Sequence, residues 1–168
     1  SHPREGLALL FEASSSTLLD VCANPQWLGT RPGLTGVLHT HGRALVYHPH
    51  VHYVATGGGL APDGTWRESH AQFLVPVRAL SAVFRARFRD GLRRRLPAAF
   101  AAVPAQTWTR DWVVHSQPVG DGRNALRYLA RYIYRVALAD SAISEHDGDT
   151  VAFRYRDTQT KKVHRMAL

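Results

Sequence analysis

The stretch Tyr47-His48-Pro49-His50-Val51-His52-Tyr53 sets three histidines two residues apart in otherwise apolar surroundings. Successive side chains on an extended strand point to opposite faces, so His48, His50 and His52 share one row. Imidazoles at neighbouring same-face positions are a natural start for a divalent metal site. A second constellation lies further along the chain. From Asn124, helical spacing at ~100° per residue gathers Leu126, Leu129, Ile133, Val136 and Ala137 into one apolar arc. Tyr128 and Tyr132, four residues apart, sit together at its margin, while Arg127, Arg131 and Arg135 occupy the neighbouring polar sector. Tyr134 falls on the opposite side of the arc.

Each motif alone has a plain reading: a surface strand that carries histidines, and two amphipathic tyrosines that finish a core. Together they suggest chemistry at phosphorus. A phenol is a weak nucleophile at neutral pH unless its pKa falls or the electrophile is brought close. A metal polarising a phosphate, with guanidinium groups nearby, supplies what a tyrosine needs for that attack. Two tyrosines on one helical face permit two successive strand transfers, the first staying covalently occupied while the second acts.

The elements that must position these groups can be read from pattern. Residues 34–41 and 44–56 are strand-like and joined by the turn signal Gly42-Arg43, which predicts a hairpin. Pro49 cannot donate to a central ladder, so a bulge or an unpaired position is expected there. Gly57-Gly58-Gly59 reads as the end of the second strand, and residues 24–33, rich in Pro and Gly, as loop. Before them, residues 7–11 and 18–21 form short apolar pieces on either side of a Ser14-Ser15-Ser16 break. Phe73-Leu74-Val75 suggests a short strand. Pro76 then suits the first turn of a helix with an apolar stripe of Val77, Leu80, Phe84 and Phe88. The arginine run from Arg85 to Arg95 on that helix is either a solvated face or a phosphate-tracking one. Residues 112–116 are a further strand candidate. Asn124 can cap the tyrosine helix, expected to run to about Asp140. Val151, Phe153 and Tyr155 alternate as a strand that residues 163–166 can pair with. The pattern predicts a single α+β domain over residues 1–168, an antiparallel sheet with flanking helices.

Composition narrows the classes. The chain has 168 residues, 45% hydrophobic and 20% charged, which fits a globular domain. Its net charge of +8 rests on 21 Lys+Arg, nearly all arginine, whose forks match phosphate geometry, with Trp and Tyr available for base stacking. Cys22 is the single cysteine, which excludes an internal disulfide framework and a multi-cysteine zinc finger within this sequence. No apolar run approaches ~18 residues, so no membrane partner is expected, and no signal peptide opens the chain. A cytoplasmic, nucleoid-associated protein is the expectation. The start Ser1-His2-Pro3-Arg4, without an initiator Met, suggests a piece of a longer protein.

These residues carry a resemblance. His50-Val51-His52 resembles the histidine–hydrophobic–histidine (HUH) signature, and Tyr128-Leu129-Ala130-Arg131-Tyr132 resembles the paired-tyrosine helix that accompanies it. Gly36-Val37-Leu38-His39-Thr40, Gly57-Gly58-Gly59-Leu60 and Val151-Ala152-Phe153-Arg154-Tyr155 extend the likeness across residues 35–157. The sequence is similar to the two-tyrosine rolling-circle transposases of bacterial insertion sequences. That resemblance implies an HUH-nuclease-like central antiparallel sheet with the histidines on a middle strand. It also implies Mg²⁺ or Mn²⁺ without a small-molecule cofactor, and attack on single-stranded DNA at transposon ends and target. The expected products are a 5′-phosphotyrosine link and a free 3′-hydroxyl. By the same resemblance His50 and His52 are metal ligands, and Tyr128 and Tyr132 are nucleophiles. The third ligand stays open between His48, on the right face, and His39, across the hairpin; His115 is more remote, and His41 alternates with His39 on the same strand face. Arg127, Arg131 and Arg135 are the expected DNA contacts. Two departures stand out: one cysteine cannot build the family's N-terminal zinc module, and Tyr134 stands where another polar residue, often His, is expected.

Neighbouring readings differ by class. A replication initiator or conjugative relaxase would use the same chemistry. A dinuclear hydrolase of the His-x-His-x-Asp-His kind needs an Asp where Tyr53 stands or nearby. A non-catalytic DNA-binding remnant of a mobile element would keep the charge and form no covalent adduct.

Overall fold

The computed structural model describes residues 3–41, 46–133, 143–146, 151–156 and 163–167. The helices are α1 (Pro3–Ala23), α2 (Val77–Arg95), α3 (Pro97–Ala102), a 3₁₀ turn (Ala105–Trp108) and α4 (Gly122–Ile133). The strands are β1 (Arg31–His41), β2 (Tyr47–Leu60), β3 (Trp66–Glu68), β4 (Ile143–His146), β5 (Val151–Arg156) and β6 (Val163–Ala167). The fold is α+β, with sheets ordered β1-β2-β3 and β4-β5-β6. Two compact units divide the chain: Ser1–Gly36 with Val51–Asp121, and Val37–His50 with Gly122–Leu168.

In the first unit the serine run does not break α1, contrary to the sequence reading. The hydroxyls of Ser14, Ser15 and Ser16 donate to the carbonyls of Leu10, Glu12 and Ala13 at 2.8, 3.2 and 3.3 Å. Serine satisfied in this way sits inside a helix without opening it. Leu9, Ala13, Thr17 and Val21 recur at four-residue spacing and are buried, and α1 packs on α2. Joining the two apolar pieces also makes α1 long and apolar enough, by length and composition alone, to cross a membrane, with a mean hydropathy of 1.3. The buried stripe and the contact with α2 fit a packing helix. Behind it Val21, Cys22, Leu28, Val75 and Leu80 form one core cluster. Burial pushes the Cys22 thiol up to about 11, so it stays protonated and inert.

The arginines of α2 are largely engaged with carboxylates. Arg87 and Arg31 share Asp20 at 2.9 and 2.8 Å, Arg89 and Arg93 reach Asp90, and Arg85 faces Asp111. Arg95 makes a fork on Glu12 with both bonds at 2.7 Å, and holds that carboxyl below its usual range. This favours the reading of the run as a packed and solvated face over a phosphate track.

β1 and β2 run antiparallel. Arg31 lies against Gly59, Gly33 against Thr56 and Gly36 against Tyr53, so positions rise on one strand as they fall on the other. The glycine run does not end β2 as expected. The strand continues to Leu60 and pairs antiparallel with β3, Gly58 opposite Glu68 and Gly59 opposite Arg67. A Cβ at Gly58 would strike the Arg67 carbonyl and one at Gly59 the Arg31 carbonyl, so the absence of side chains is what lets three strands close here.

Other expectations shift locally. Phe73 makes an isolated bridge with His70 rather than a strand, and Val75 is fully buried in the core. Residues 112–116 form no strand; the main chain of Trp112 is taken by Ser81, whose Oγ accepts from the Trp112 N–H at 2.9 Å and donates to its carbonyl at 2.7 Å. Pro76 is the N-cap of α2 rather than a first-turn residue. α4 begins at Gly122, which places Asn124 inside its first turn instead of before it. The expected extension of that helix to Asp140 lies outside the described residues. In the second unit β5 and β6 pair antiparallel as their alternation predicts, Phe153 opposite Met166. β4, which the sequence reading missed, joins the other edge of β5 with a register shift between Ile143 and Glu145. Phe153 is fully buried there.

Gly36 is one of the close joints of the first unit. A Cβ there would meet Tyr53 Cε1 at 2.5 Å and Phe11 Cζ at 3.1 Å. Gly36→Ala is therefore expected to destabilise the chain by about 1–3 kcal/mol through overpacking, measured by urea unfolding. An unfolding midpoint within error of the parent would contradict this role.

Candidate functional site

The register of β1 against β2 decides which histidines meet. With Gly36 opposite Tyr53, His39 lies across from His50, and their rings pack edge to face with centroids 5.4 Å apart. His52 follows two residues along β2 on the same face. The ligand nitrogens of His39, His50 and His52 all fall within 4.8 Å of one another, each residue half-buried. Three nitrogens bound to one ion at ~2.1 Å lie at most ~3.6 Å from one another, so about an ångström of side-chain adjustment would bring the three imidazoles around a divalent cation. Three ligands leave coordination positions open for a substrate oxygen and water.

The site also shows how one ligand is oriented. His50 Nδ1 lies 2.7 Å from the His48 carbonyl oxygen. A carbonyl can only accept, so Nδ1 is the donor in this contact and Nε2 is the ring nitrogen left to serve as a ligand. Metal-ligating histidines are commonly fixed by a hydrogen bond of this kind. His48 thus reaches the cluster through its carbonyl; its ring is exposed and lies tilted beside His50 with centroids 5.2 Å apart. His41, at the end of β1, is exposed and lies 3.3 Å from Thr40 Oγ1 through Nδ1. His115 is exposed in a stretch without regular structure.

Tyr53, next to His52, could be mistaken for a nucleophile. Its hydroxyl lies 2.7 Å from Ser14 Oγ and donates to the Phe11 carbonyl at 3.3 Å. Burial pushes its pKa above the ordinary phenol value, so it is neutral and engaged. It acts as a clamp that ties β2 to α1 beside the histidines. Sequence reasoning missed this; the signal available was a tyrosine directly after the histidine motif and a serine inside an apolar helix.

Tyr128 and Tyr132 both lie on α4, one turn apart along its backbone. The unit that contains α4 also contains the hairpin segment Val37–His50, with His39 and His50. Arg127 is exposed on α4, and Arg131 shares the helix. Arg135 and Tyr134 lie outside the described residues.

With this geometry in place, comparison with known proteins is decisive. Residues 33–168 match the model of the Y2_Tnp family, described as "Putative transposase". The chain belongs to this transposase family. It is 35% identical to "Putative transposase y4qJ" of Sinorhizobium fredii, over 89% of this chain and 42% of that protein. It is 31% identical to the "Transposase for insertion sequence element IS801" of Pseudomonas savastanoi pv. phaseolicola, over 79% of this chain and 36% of that protein. The chain thus spans about two fifths of the length of these curated relatives. No solved structure gives a significant match.

If His39, His50 and His52 form the cation site, replacing any one by Ala should weaken Mn²⁺ binding by roughly tenfold or more, read by calorimetric titration. His48→Ala keeps its carbonyl and should stay much closer to the parent. Equal losses for His48→Ala and His39→Ala would contradict the assignment.

Proposed function

We propose that this chain is the catalytic portion of a transposase that cleaves and joins single-stranded DNA through a covalent tyrosine intermediate. The observation that carries this reading is the convergence of His39, His50 and His52 in a member of a transposase family whose tyrosine helix belongs to the same compact unit as His39 and His50.

His39, His50 and His52 hold the divalent cation, Mg²⁺ or Mn²⁺. Nitrogen donors make Mn²⁺ the better fit, since Mg²⁺ favours all-oxygen shells. When bound, the cation withdraws charge from a non-bridging phosphate oxygen and so eases nucleophilic attack. The chain's own groups do the rest. The His50 Nδ1–H bond to the His48 carbonyl keeps that ring in its ligating orientation. Arg127, Arg131 and Arg135 offset phosphate charge along the tyrosine helix. The phenol of Tyr128 or Tyr132 gives up its proton as its oxygen bonds to phosphorus. The P–O3′ bond breaks, and the departing 3′ oxygen leaves as a hydroxyl. The protein–DNA bond conserves the phosphodiester for rejoining, which attack by water would discard. The second tyrosine, one turn away, is free for the next transfer. The whole chain is read as one nuclease module of a longer transposase, acting on bacterial DNA.

The test is incubation with a labelled single-stranded oligonucleotide and Mn²⁺, followed by denaturing electrophoresis. A denaturant-resistant adduct is expected from the parent. The single Phe substitutions at Tyr128 and Tyr132 should each impair part of the cycle, and Tyr128→Phe/Tyr132→Phe should leave no adduct. An adduct that persists in the double variant would refute the mechanism.

A further inference from the structure

The first unit also carries an ordered row of aromatic rings. Phe100 stacks on Trp108 with centroids 5.6 Å apart and planes 23° apart, and Trp108 stacks on Trp112 at 5.8 Å and 28°. Phe84 and Phe88 of α2 support Trp112 from behind at 5.1 and 5.4 Å. The row is also locked by polar bonds. Ser81 holds both main-chain groups of Trp112, and the Trp112 indole N–H donates to the Thr107 carbonyl at 3.1 Å. An aromatic group fixed at backbone and ring loses little freedom when something stacks on it.

The row does not end in a closed core. Trp112 lines an open cavity of about 330 Å³ together with Thr107, Arg110, Asp111 and Val113. Val113 is 97% exposed, an apolar side chain presented to water at the rim. The charges around the opening favour an anion. Arg110 is exposed, and Arg85 donates to the Arg110 carbonyl and lies 3.7 Å from Asp111, whose carboxylate it offsets. An apolar wall, a rigid indole and an exposed guanidinium together match a nucleotide with an unpaired base: the base against Trp112 and Val113, the phosphate toward Arg110. A base in duplex DNA keeps its faces covered by its neighbours and cannot make this contact.

We propose that the Trp108–Trp112 row with Val113 and Arg110 is a docking platform for single-stranded DNA, distinct from the histidine cluster. It rests on the reading of the chain as acting on single-stranded DNA and names a second place where the strand is held. Its function is to grip the strand, so it should govern affinity rather than the chemical step.

The test uses the 168-residue chain and a fluorescent single-stranded oligonucleotide carrying 5-iodouracil. Trp112→Ala should weaken binding roughly tenfold. Because that substitution also opens the aromatic packing, Val113→Glu and Arg110→Glu are measured beside it. Both change exposed groups that bear no packing, and each should weaken binding several-fold while leaving the thermal midpoint unchanged. Photo-crosslinks should map to residues 105–113, and an unlabelled duplex should compete poorly. Failure of the parent chain to bind single-stranded DNA would overturn the functional reading and this inference together. Parent binding left intact by Val113→Glu and Arg110→Glu, crosslinks confined to other segments, or a preference for duplex would overturn this inference alone.

Discussion

The antiparallel register of β1 against β2 is the constraint on which the site depends. It is held where three elements meet: Gly36 of β1 leaves room for the Tyr53 ring, and the Tyr53 hydroxyl bonds to Ser14 and Phe11 of α1. A slip of one residue would turn every side chain of a strand to the other face. His39 would then face away from His50 and His52, and the cluster would be lost with no change in composition. The neighbouring glycines serve the same end. Gly58 and Gly59 let β3 and β1 approach β2 where any side chain would hold them apart, which keeps the histidine strand in the middle of its sheet.

Charge is spent differently from what the net figure of +8 suggests. Much of the arginine on α2 is paired: Arg87 with Asp20 and Arg95 with Glu12 fasten α2 to α1, Arg89 pairs within α2 with Asp90, and Asp20 also holds Arg31 of β1. Exposed pairs of this kind contribute little stability one by one, and their value here is to fix the orientation of long side chains. Under the proposed function, the arginines that would meet the DNA are instead those of the tyrosine helix and Arg110 beside the aromatic row. The net charge alone does not say which surface that is.

The α+β class, the neighbouring strands β1 and β2 and the pairing of β5 with β6 were legible in the sequence, because alternation reports directly on strands; the middle position of the histidine strand was implied by the family resemblance, and the Gly42-Arg43 turn lies outside the described residues. The histidine cluster was legible only in part. Period-two spacing brings His48, His50 and His52 into one row, but which third imidazole joins His50 and His52 is a cross-strand question, and register is set by Gly36 and Tyr53 rather than by the histidines. The failures have local causes. Serine can satisfy its hydroxyl inside a helix, so the run at 14–16 was no break. Glycine can be required by close strand approach, so the run at 57–59 was no end. The Ser81 clamp on Trp112 joins residues 31 apart and leaves no periodic trace.

In the proposed mechanism a tyrosine of α4 becomes joined to DNA. The most direct measurement is peptide mapping by mass spectrometry of the DNA-linked protein, digested after reaction with a single-stranded oligonucleotide and Mn²⁺. The account predicts a nucleotide mass on the peptide that contains Tyr128 and Tyr132, with fragmentation placing it on one of those two residues. A nucleotide found instead on Tyr53, Tyr134 or Tyr155 would contradict it.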